Sequence, residues 1–374
     1  LTAERQGIDR GASAPIGHAF RIRIAAVATG GVAGLGVVGI AAFAAGAAAA
    51  ARASAASRRA TGTARGIAAC RDPRKMDRSF SGELRIGDLT DADYRRELAK
   101  DVDVICHAGG WASMWAHDDI ERTHFFEPTR DLIDTAIRSG VQRFIFANTV
   151  AIAAKVKDAR PLDDFAPTRR TGYWPHLDRL IDIDDYMRAN SKRGMGMVNL
   201  RLGAFIGVGN RLGLVPALTP RLRTYLVPWL AGGRKHQALV ADADLGQAFL
   251  RACVAKGLDE YESFNICGAE FPTLREVVSL IAAETGFPKP LYSVPYPAGY
   301  AFGWLMEKLN PLLPGYPFLT RSIVHLCEDW ICPTDYAARK LGYIPQKDWR
   351  TTIREHLADL KTQGYPWPRL CQAV

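Results

Sequence analysis

A glycine cluster near the amino terminus is the first feature of this sequence whose residue types and spacing fit chemistry. It contains Gly30, Gly31, Gly34 and Gly36, and it lies between a short apolar run at residues 21–28 and a long alanine-rich stretch. Glycines between a strand and a helix let the backbone approach a phosphate, whose charge is met by free N–H groups and by the helix dipole. The cluster therefore predicts a site for the phosphates of a nucleotide.

The same segment allows other interpretations, because its composition is unusual. Sixteen of residues 41–70 are alanine, and a stretch rich in glycine and alanine produces glycine spacings by chance. Residues 24–51 are uncharged and flanked by arginines, which fits a membrane anchor or an export signal, although their single leucine makes them weakly hydrophobic. An organelle transit peptide and out-of-frame translation of a GC-rich gene fit as well. The sequence leaves these alternatives open.

Composition indicates a folded protein without a general affinity for nucleic acid. The 374 residues are 48% apolar and 23% charged, which argues against wholesale disorder, a collagen-like fibre and a multi-span membrane protein. Residues 1–75 hold eleven basic and three acidic side chains, and so most of the net charge of +9, which argues against a nucleic-acid surface on the rest. The seven cysteines include no Cys-x-x-Cys pair. We therefore expect no disulfides, no bound metal and a cytoplasmic location.

Strands and helices alternate from residue 84 onward at the spacing of βαβ units. Short buried runs predict the strands, and amphipathic segments between them predict the helices. The predicted strands are residues 84–86, 103–106, 143–147 and 196–200, and the predicted helices are residues 91–98, 129–139 and 173–189. This pattern predicts an α/β fold with a doubly wound parallel sheet covered by helices on both faces.

Small or polar residues follow the predicted strands directly. They are Asp88, Ala108, Gly109, Thr149 and Gly203. The carboxyl ends of parallel strands meet at one edge of a sheet, and doubly wound sheets bind their ligands there. We therefore expect these five residues to lie around one ligand site.

Seven short segments follow one another in a recognisable order. They are Gly-Asp-Leu-Thr at residues 87–90, Asp-Val-Ile-Cys-His-Ala-Gly at 103–109, Gly-Val-Gln-Arg-Phe-Ile-Phe at 140–146, Arg-Leu-Gly at 201–203, Gly-Val-Gly at 207–209, Asp-Ala-Asp-Leu at 242–245 and Phe-Asn-Ile-Cys-Gly at 264–268. This order resembles that of the extended short-chain dehydrogenases. Between residue 71 and about residue 345 the chain is similar to the NAD(P)-dependent epimerase/dehydratase family, including its 3β-hydroxysteroid dehydrogenase-like branch.

The resemblance implies a division of the chain. Residues 21–205, with 236–266 returning to them, would form a Rossmann-type NAD(P)-binding core. Residues 206–374 would form a smaller, mostly helical substrate-binding lobe, and residues 1–20 a tail.

The resemblance also implies how a nicotinamide cofactor would bind. Asp88 and Leu89 would face its adenine, and Arg71 would meet a ribose 2′-phosphate. A basic residue there favours NADP, while the adjacent Asp72 leaves NAD possible. The implied cofactor-binding residues are Gly30, Gly31, Gly34, Gly36, Arg71, Asp88, Leu89, Ala108, Gly109, Asn148 and Gly203.

Two catalytic residues are implied in the same way, Thr149 and Tyr173. The chemistry is hydride transfer, in which the protein exchanges a proton with the reacting oxygen. A phenol suits this task when its pKa falls from about 10 toward neutrality, which the family achieves with a Lys four residues after the Tyr. Here that position is Leu177. Either His176, three residues after Tyr173, or Arg179, six residues after it, would replace the missing Lys in part, and His176 is the third catalytic candidate.

Residues 287–320 contain seven prolines and eight aromatic residues. This mixture predicts either a lid over a pocket for an apolar substrate or the ordinary packing of a small lobe. Trp111, Met114 and Trp115 would border the same pocket.

Together these observations predict an NAD(P)-dependent oxidoreductase that acts on a carbonyl or secondary alcohol of a fairly apolar small molecule, with Tyr173 as its proton donor. One alternative is a family member that has lost turnover and serves as a sensor or scaffold, and another is a sugar-nucleotide epimerase or dehydratase. We expect a small-molecule substrate, no nucleic-acid partner and at most a peripheral membrane contact, and a homodimer is compatible with the sequence.

Overall fold

The computed structural model describes residues 22–28, 64–73, 80, 82–109, 111–155, 160–211, 213–312 and 317–365. The predicted phosphate-binding residues Gly30, Gly31, Gly34 and Gly36 lie outside this part of the chain. None of the helices that the structure describes is long and apolar enough to cross a bilayer.

Seven parallel strands form the central sheet. In chain order they are β1 (Ile22–Ala28), β2 (Ala64–Cys70), β3 (Glu83–Ile86), β4 (Val104–His107), β5 (Arg143–Thr149), β6 (Gly196–Leu202) and β10 (Tyr261–Ile266). Their spatial order is β10-β6-β5-β4-β1-β2-β3. Strand β1 pairs with both β2 and β4, so the winding of the sheet reverses between β1 and β4. The predicted doubly wound parallel sheet is confirmed.

Four shorter strands form two small parallel pairs outside the central sheet. They are β7 (Ala204–Ile206) with β9 (Leu239–Ala241), and β8 (Trp229–Leu230) with β11 (Ser293–Val294).

Eleven α-helices are described. They are α1 (Ala92–Ala99), α2 (Asp118–Glu121), α3 (Glu127–Arg138), α4 (Pro175–Asn190), α5 (Leu214–Leu222), α6 (Asp242–Val254), α7 (Leu274–Thr285), α8 (Tyr296–Leu309), α9 (Arg321–Leu326), α10 (Asp335–Leu341) and α11 (Trp349–Thr362). One π-helical turn, Arg122–Phe126, joins α2 to α3.

Local sequence explains several helix ends. The Asp91 carboxylate accepts a hydrogen bond from the Asp93 backbone N–H and so caps the first turn of α1. Thr273 and Glu276 form a capping box at the start of α7. Gly140, with φ of 74°, follows α3 and adopts the left-handed conformation that lets the chain turn into β5.

Apolar side chains bury both faces of the sheet, as a parallel sheet requires. Helices α1, α3 and α4 cover one face, where Leu98, Leu132 and Leu177 belong to one buried cluster. Helices α6 and α10 cover the other face through Phe249 and Leu341. A third cluster joins the short strands to α5, α7 and α11. These layers fix the strand ends that carry the site.

Candidate active site

A cavity of about 240 Å³ lies where β4, β5 and β6 end. Most of its lining is apolar. The side chains in its lining that carry hydrogen-bonding groups are those of Asn148, Thr149, Trp174, His176, Gln237 and Trp330, with the thiol of Cys327. No Asp, Glu, Lys or Arg side chain of the described residues lines it. The cavity has the character of a site for a mainly apolar ligand held by a few polar groups.

The structure brings together six of the residues that the sequence singled out. Ala108, Gly109, Asn148, Thr149, His176 and Gly203 all line this cavity. Strand pairing explains the convergence, because β5 lies between β4 and β6 in parallel register and the three strands therefore end side by side. Asp88 does not join them, since β3 is the outermost strand at the opposite side of the sheet.

Thr149 is the last residue of β5 and presents a hydroxyl at the cavity. Its Oγ1 accepts a hydrogen bond from the Ala151 backbone N–H at 3.2 Å, and its own backbone N–H donates to the Asn148 side chain at 2.8 Å. A threonine hydroxyl that accepts one bond still has its proton to donate. Thr149 is therefore positioned to donate a hydrogen bond to an oxygen of a bound substrate.

Gly203 lines the cavity, and the packing behind it explains why this position is glycine. A Cβ atom there would lie 2.6 Å from the carbonyl oxygen of Ala238, which is backbone. The Gly203 backbone N–H donates to the Ile266 carbonyl at 2.9 Å. The absence of a side chain at Gly203 thus lets the backbone that leaves β6 pack closely against Ala238, the residue before β9.

Arg71 and Asp88 lie at the ends of β2 and β3, where the adenosine end of a cofactor was expected. The Arg71 guanidinium contacts the Asp88 carboxylate at 3.2 Å. Partial burial raises the pKa of the Asp88 carboxyl, but hydrogen bonds from Thr90 and Arg71 outweigh it and lower that pKa below its ordinary value. The neighbouring Leu89 is buried in the cluster beneath the sheet.

Tyr173 was expected to be catalytic, but the structure does not place it in the lining of the cavity. Its hydroxyl donates to the hydroxyl of Tyr300 at 3.4 Å, and the Arg321 guanidinium lies 4.7 Å from its ring centroid. Burial raises the pKa of the Tyr173 phenol, against the smaller effects of Tyr300 and Arg321. The position and the pKa direction both depart from what proton transfer by this phenol requires.

The start of α4 explains this displacement. Trp174 occupies the N-cap position and Pro175 the first helical position, so Tyr173 precedes the helix. The helical positions that line the cavity are His176 and Leu180, one turn apart. Their neighbour Leu177 belongs instead to the buried core, and it is fully buried there.

Arg179, the other proposed substitute for the missing lysine, is committed elsewhere. Its guanidinium contacts the Asp118 carboxylate at 2.7 Å and the Asp182 carboxylate at 2.9 Å. It does not line the cavity.

His176 has a partner that sequence reasoning missed. Its Nδ1 lies 3.0 Å from a carboxylate oxygen of Glu121, which is fully buried at the end of α2. The two residues are 55 positions apart, and no motif of the sequence joins them.

A second group of polar residues that the sequence did not reveal lies beside the cavity. Lys155 forms an ion pair with Glu328, whose other oxygen accepts a hydrogen bond from the Tyr300 hydroxyl at 2.5 Å. The Lys155 ammonium lies 4.6 Å from the ring centroid of Trp330, a lining residue. Burial lowers the pKa of Lys155 to about 7.

The expected aromatic lid is not part of the cavity wall. No described residue of 287–320 lines the cavity, and helix α9, with Ile323 and Leu326, forms that wall. In α8 the close approach of Gly303 to the backbone of α9 turns the large side chains outward, so Phe302 and Trp304 are exposed. Trp111, Met114 and Trp115 are also absent from the lining, to which their segment contributes Ala112.

The chain is similar to a named reductase over most of its length. A 2-alkyl-3-oxoalkanoate reductase of Stenotrophomonas maltophilia is 25% identical to it over 293 residues, which are 76% of this chain and 86% of the reductase.

Two solved structures share the fold of this chain. A nucleoside-diphosphate-sugar epimerase from Pseudomonas aeruginosa has a TM-score of 0.67 at 14% identity, with 92% of this chain and 99% of the epimerase covered. The UDP-glucose 4-epimerase of Thermus thermophilus in complex with NAD has a TM-score of 0.62 at 16% identity, with 91% and 99% covered. At these identities the likeness shows the fold alone.

A family model provides the most specific assignment. It matches residues 35–267, more than half of the chain, and this range contains the strands that end at the cavity. By this match and by its sheet order, the chain belongs to the NAD dependent epimerase/dehydratase family.

Proposed function

We propose that this protein is an NAD(P)-dependent oxidoreductase that interconverts a ketone and a secondary alcohol on a mainly apolar small molecule. The observation that carries the proposal is the cavity at the ends of β4, β5 and β6, with an apolar wall and the Thr149 hydroxyl at its rim. Doubly wound sheets bind nucleotide cofactors at this edge, near the point where strand order reverses. A bound nicotinamide would supply or accept a hydride there.

The lining favours an oxo compound with alkyl groups as the substrate. Its described residues carry no charged carboxylate, ammonium or guanidinium group, and apolar side chains make up most of the wall. The name of the S. maltophilia relative describes a compound with such an oxo group and alkyl branch, a 2-alkyl-3-oxoalkanoate. The carboxylate of a compound of this class would have to lie outside the described lining, which has no cationic side chain to pair with it. A sugar nucleotide, the substrate class of the epimerases with the same fold, would need many more hydrogen-bonding partners than this cavity offers.

NADP is the proposed cofactor, because Arg71 lies at the end of β2. A guanidinium is suited to a phosphate, since it can donate two parallel hydrogen bonds to it. Asp88 now holds Arg71, so a 2′-phosphate would compete with that carboxylate for the guanidinium. Ala108 and Gly109, small residues after β4, would leave room for the middle of the cofactor. NAD remains the second candidate.

A binding protein without turnover is the alternative that one specific observation favours. The family's lysine position is Leu177, buried in the core, and Tyr173 lies outside the cavity. Such a protein would bind the nucleotide and catalyse no reduction.

Cofactor binding followed by turnover tests the proposal. NADPH and NADH are titrated into the purified protein while nucleotide fluorescence is recorded. NADPH consumption is then measured with 3-oxoalkanoates of increasing alkyl length. We expect tighter binding of NADPH than of NADH and a kcat/KM that increases with alkyl length until the cavity is filled. No fluorescence change at millimolar NADPH would contradict the proposal, and binding without turnover of any oxo compound would favour the sensor alternative.

A further inference from the structure

Reduction of a ketone requires a proton at the oxygen as well as a hydride at the carbon, so the cavity must contain a group that exchanges protons. Only two side chains of the described lining titrate, His176 and Cys327. Burial raises the pKa of the Cys327 thiol to about 12, which makes it a poor proton donor near neutral pH. His176 is the remaining group.

The geometry of His176 suits this task. Its Nδ1 is occupied by Glu121 at 3.0 Å, whereas its Nε2 has no hydrogen-bond partner among the described residues and the ring lines the cavity. The Phe125 ring, which comes from the π-helical turn, lies 5.1 Å from the imidazole between ring centroids and forms one side of its pocket. One nitrogen is therefore anchored to the protein, and the other is left without a partner among the described residues on a ring that lines the cavity.

Glu121 is fixed from two directions. One carboxylate oxygen accepts the Ser113 backbone N–H at 2.6 Å, and the other meets His176. The carbonyl of Ser113 in turn accepts the indole N–H of Trp174 at 2.8 Å. A carboxylate held in this way fixes the tautomer and the orientation of its histidine, and it stabilises the imidazolium ion.

Other charges near the pair are balanced locally. On the elements packed against His176, Arg179 pairs with Asp118 and Asp182, and Arg122 pairs with Asp119 and Glu127. Beside the cavity, His325 bonds the Ala151 carbonyl at 3.0 Å, and Lys155 pairs with Glu328. Glu121 is thus the charged group that acts on His176 directly.

We propose that Glu121 and His176 form the proton-transfer pair of this site, with His176 as the catalytic residue and Glu121 as its positioning residue, an inference that rests on the oxidoreductase function proposed above. A bound reduced nicotinamide nucleotide would supply the hydride that bonds to the carbonyl carbon, and would be oxidised as the C=O π pair moves to oxygen. His176 would donate its proton to that oxygen, with the Nε2–H bond of the imidazolium breaking as the O–H bond of the alcohol forms. Solvent would then reprotonate His176.

Paired variants test this assignment. We expect His176→Gln to lower kcat/KM for ketone reduction by about 100-fold or more, the usual contribution of a general acid, with NADPH binding unchanged. His356→Gln is the matched control, because His356 is also buried but bonds the Asn210 carbonyl away from the cavity. Retention of activity by His176→Gln within about threefold of an active wild-type protein would overturn the pair and leave the oxidoreductase function standing. An inactive wild-type protein would instead reject that function.

Glu121→Gln tests the positioning role. The Ser113 N–H and His176 Nδ1 meet different oxygens of Glu121, and glutamine replaces one of these oxygens by an NH2 group that cannot accept a hydrogen bond. We therefore expect kcat/KM to fall by about tenfold or more. The fall should appear in kcat more than in KM, because the carboxylate orients the proton donor and does not touch the substrate. Glu262→Gln, at a fully buried glutamate that accepts the Tyr336 hydroxyl at 2.7 Å, is the control and should keep the wild-type kcat. An unchanged kcat in Glu121→Gln would contradict the role of Glu121.

A readout without turnover completes the test. In cofactor-free protein labelled with ¹⁵N, neutral His176 should carry its proton on Nδ1, and this preference should weaken in Glu121→Gln. A proton on Nε2 in the wild-type protein would overturn the pair.

Discussion

His176 and Leu177 are adjacent on helix α4 but have different surroundings, because His176 lines the cavity and Leu177 is fully buried in the core. His176, the second residue of the helix, therefore lies in the cavity wall, and Leu177, the third, does not. A lysine introduced at position 177 would enter the core instead of the cavity.

Leu177→Lys should consequently destabilise the protein without creating activity. An unpaired charge in this apolar cluster should reduce the free energy of unfolding by about 3 kcal/mol or more, whereas Leu177→Met should cost less than about 1.5 kcal/mol. Urea unfolding followed by circular dichroism measures both. A Leu177→Lys variant that is as stable as Leu177→Met and faster than the wild type would contradict the placement of this helix.

Arg71→Ala should weaken NADPH binding selectively. Loss of a charge-assisted hydrogen bond of about 1.5–3 kcal/mol corresponds to a roughly 10-fold to 100-fold rise in Kd for NADPH, with little change for NADH. Asp88→Asn should act in the opposite direction, because it removes a carboxylate that would compete with the 2′-phosphate for the guanidinium. Arg96→Ala is the control, at an exposed arginine that pairs with Asp93 on α1. Equal losses for both nucleotides in Arg71→Ala would rule out recognition of a 2′-phosphate.

Thr149→Val should lower kcat for ketone reduction by about tenfold or more, because it removes the proton that the hydroxyl donates to the substrate oxygen. Thr149→Ser keeps that proton and should retain most of the activity. The kinetic comparison of these two variants, with circular dichroism to check folding, separates hydrogen bonding from packing. Similar kcat values for valine and serine would show that the hydroxyl takes no part.

Gly203→Ala should destabilise the protein by about 1–3 kcal/mol, since the new methyl group meets the Ala238 carbonyl oxygen and neither backbone can yield without distortion. Gly196→Ala is the matched control, because Gly196 begins β6, the strand that Gly203 follows, and the nearest contact of its new Cβ would be an ordinary 3.6 Å. Thermal unfolding of the two variants measures the difference. Equal stability would indicate that β6 and the chain before β9 are further apart than the structure has them.

His325 predicts a loss of stability in acid. Its ring packs between Trp174 and Trp330 of the cavity wall, and burial lowers its pKa to about 4 from 6.5. Between these values the unfolded chain binds the proton and the folded protein does not, so folding becomes less favourable as pH falls from 6.5 toward 4. From pH 8 to pH 5 this histidine should cost about 2 kcal/mol.

His325→Gln should remove that cost. Urea unfolding of wild type and variant at both pH values provides the measurement. A variant that loses as much stability in acid as the wild type would assign the effect to other groups.

The sequence predicted the strand ends better than the helix faces. Buried runs that end in Ala108, Gly109 and Thr149 mark the carboxyl ends of strands, and parallel pairing then leaves little freedom in where those residues lie. The facing of α4 is a finer property, because adjacent helical residues point about 100° apart and the N-cap position decides which of them meets the cavity. The helix was predicted to start at Tyr173 and starts at Pro175, so Tyr173 precedes it and does not line the cavity.

Glu121 had no signal in the sequence that pointed to it. Its value to the site depends on a contact with His176 across 55 positions and on the π-helical turn that follows α2. Pattern reasoning handles short spacings within one element, while this pair arises from the packing of two elements. A lone glutamate between Ile120 and Arg122 is typical of a solvated helix surface.

A crystal structure of the protein with NADP⁺ and a 3-oxoalkanoate would show whether the reaction takes place in this cavity. We expect the nicotinamide ring in the cavity beyond Ala108 and Gly109, with the oxo group within about 3.5 Å of it and hydrogen-bonded to Thr149 Oγ1 and His176 Nε2. A nucleotide bound at another surface, or a nicotinamide that leaves no room for the substrate between these two side chains, would contradict this expectation.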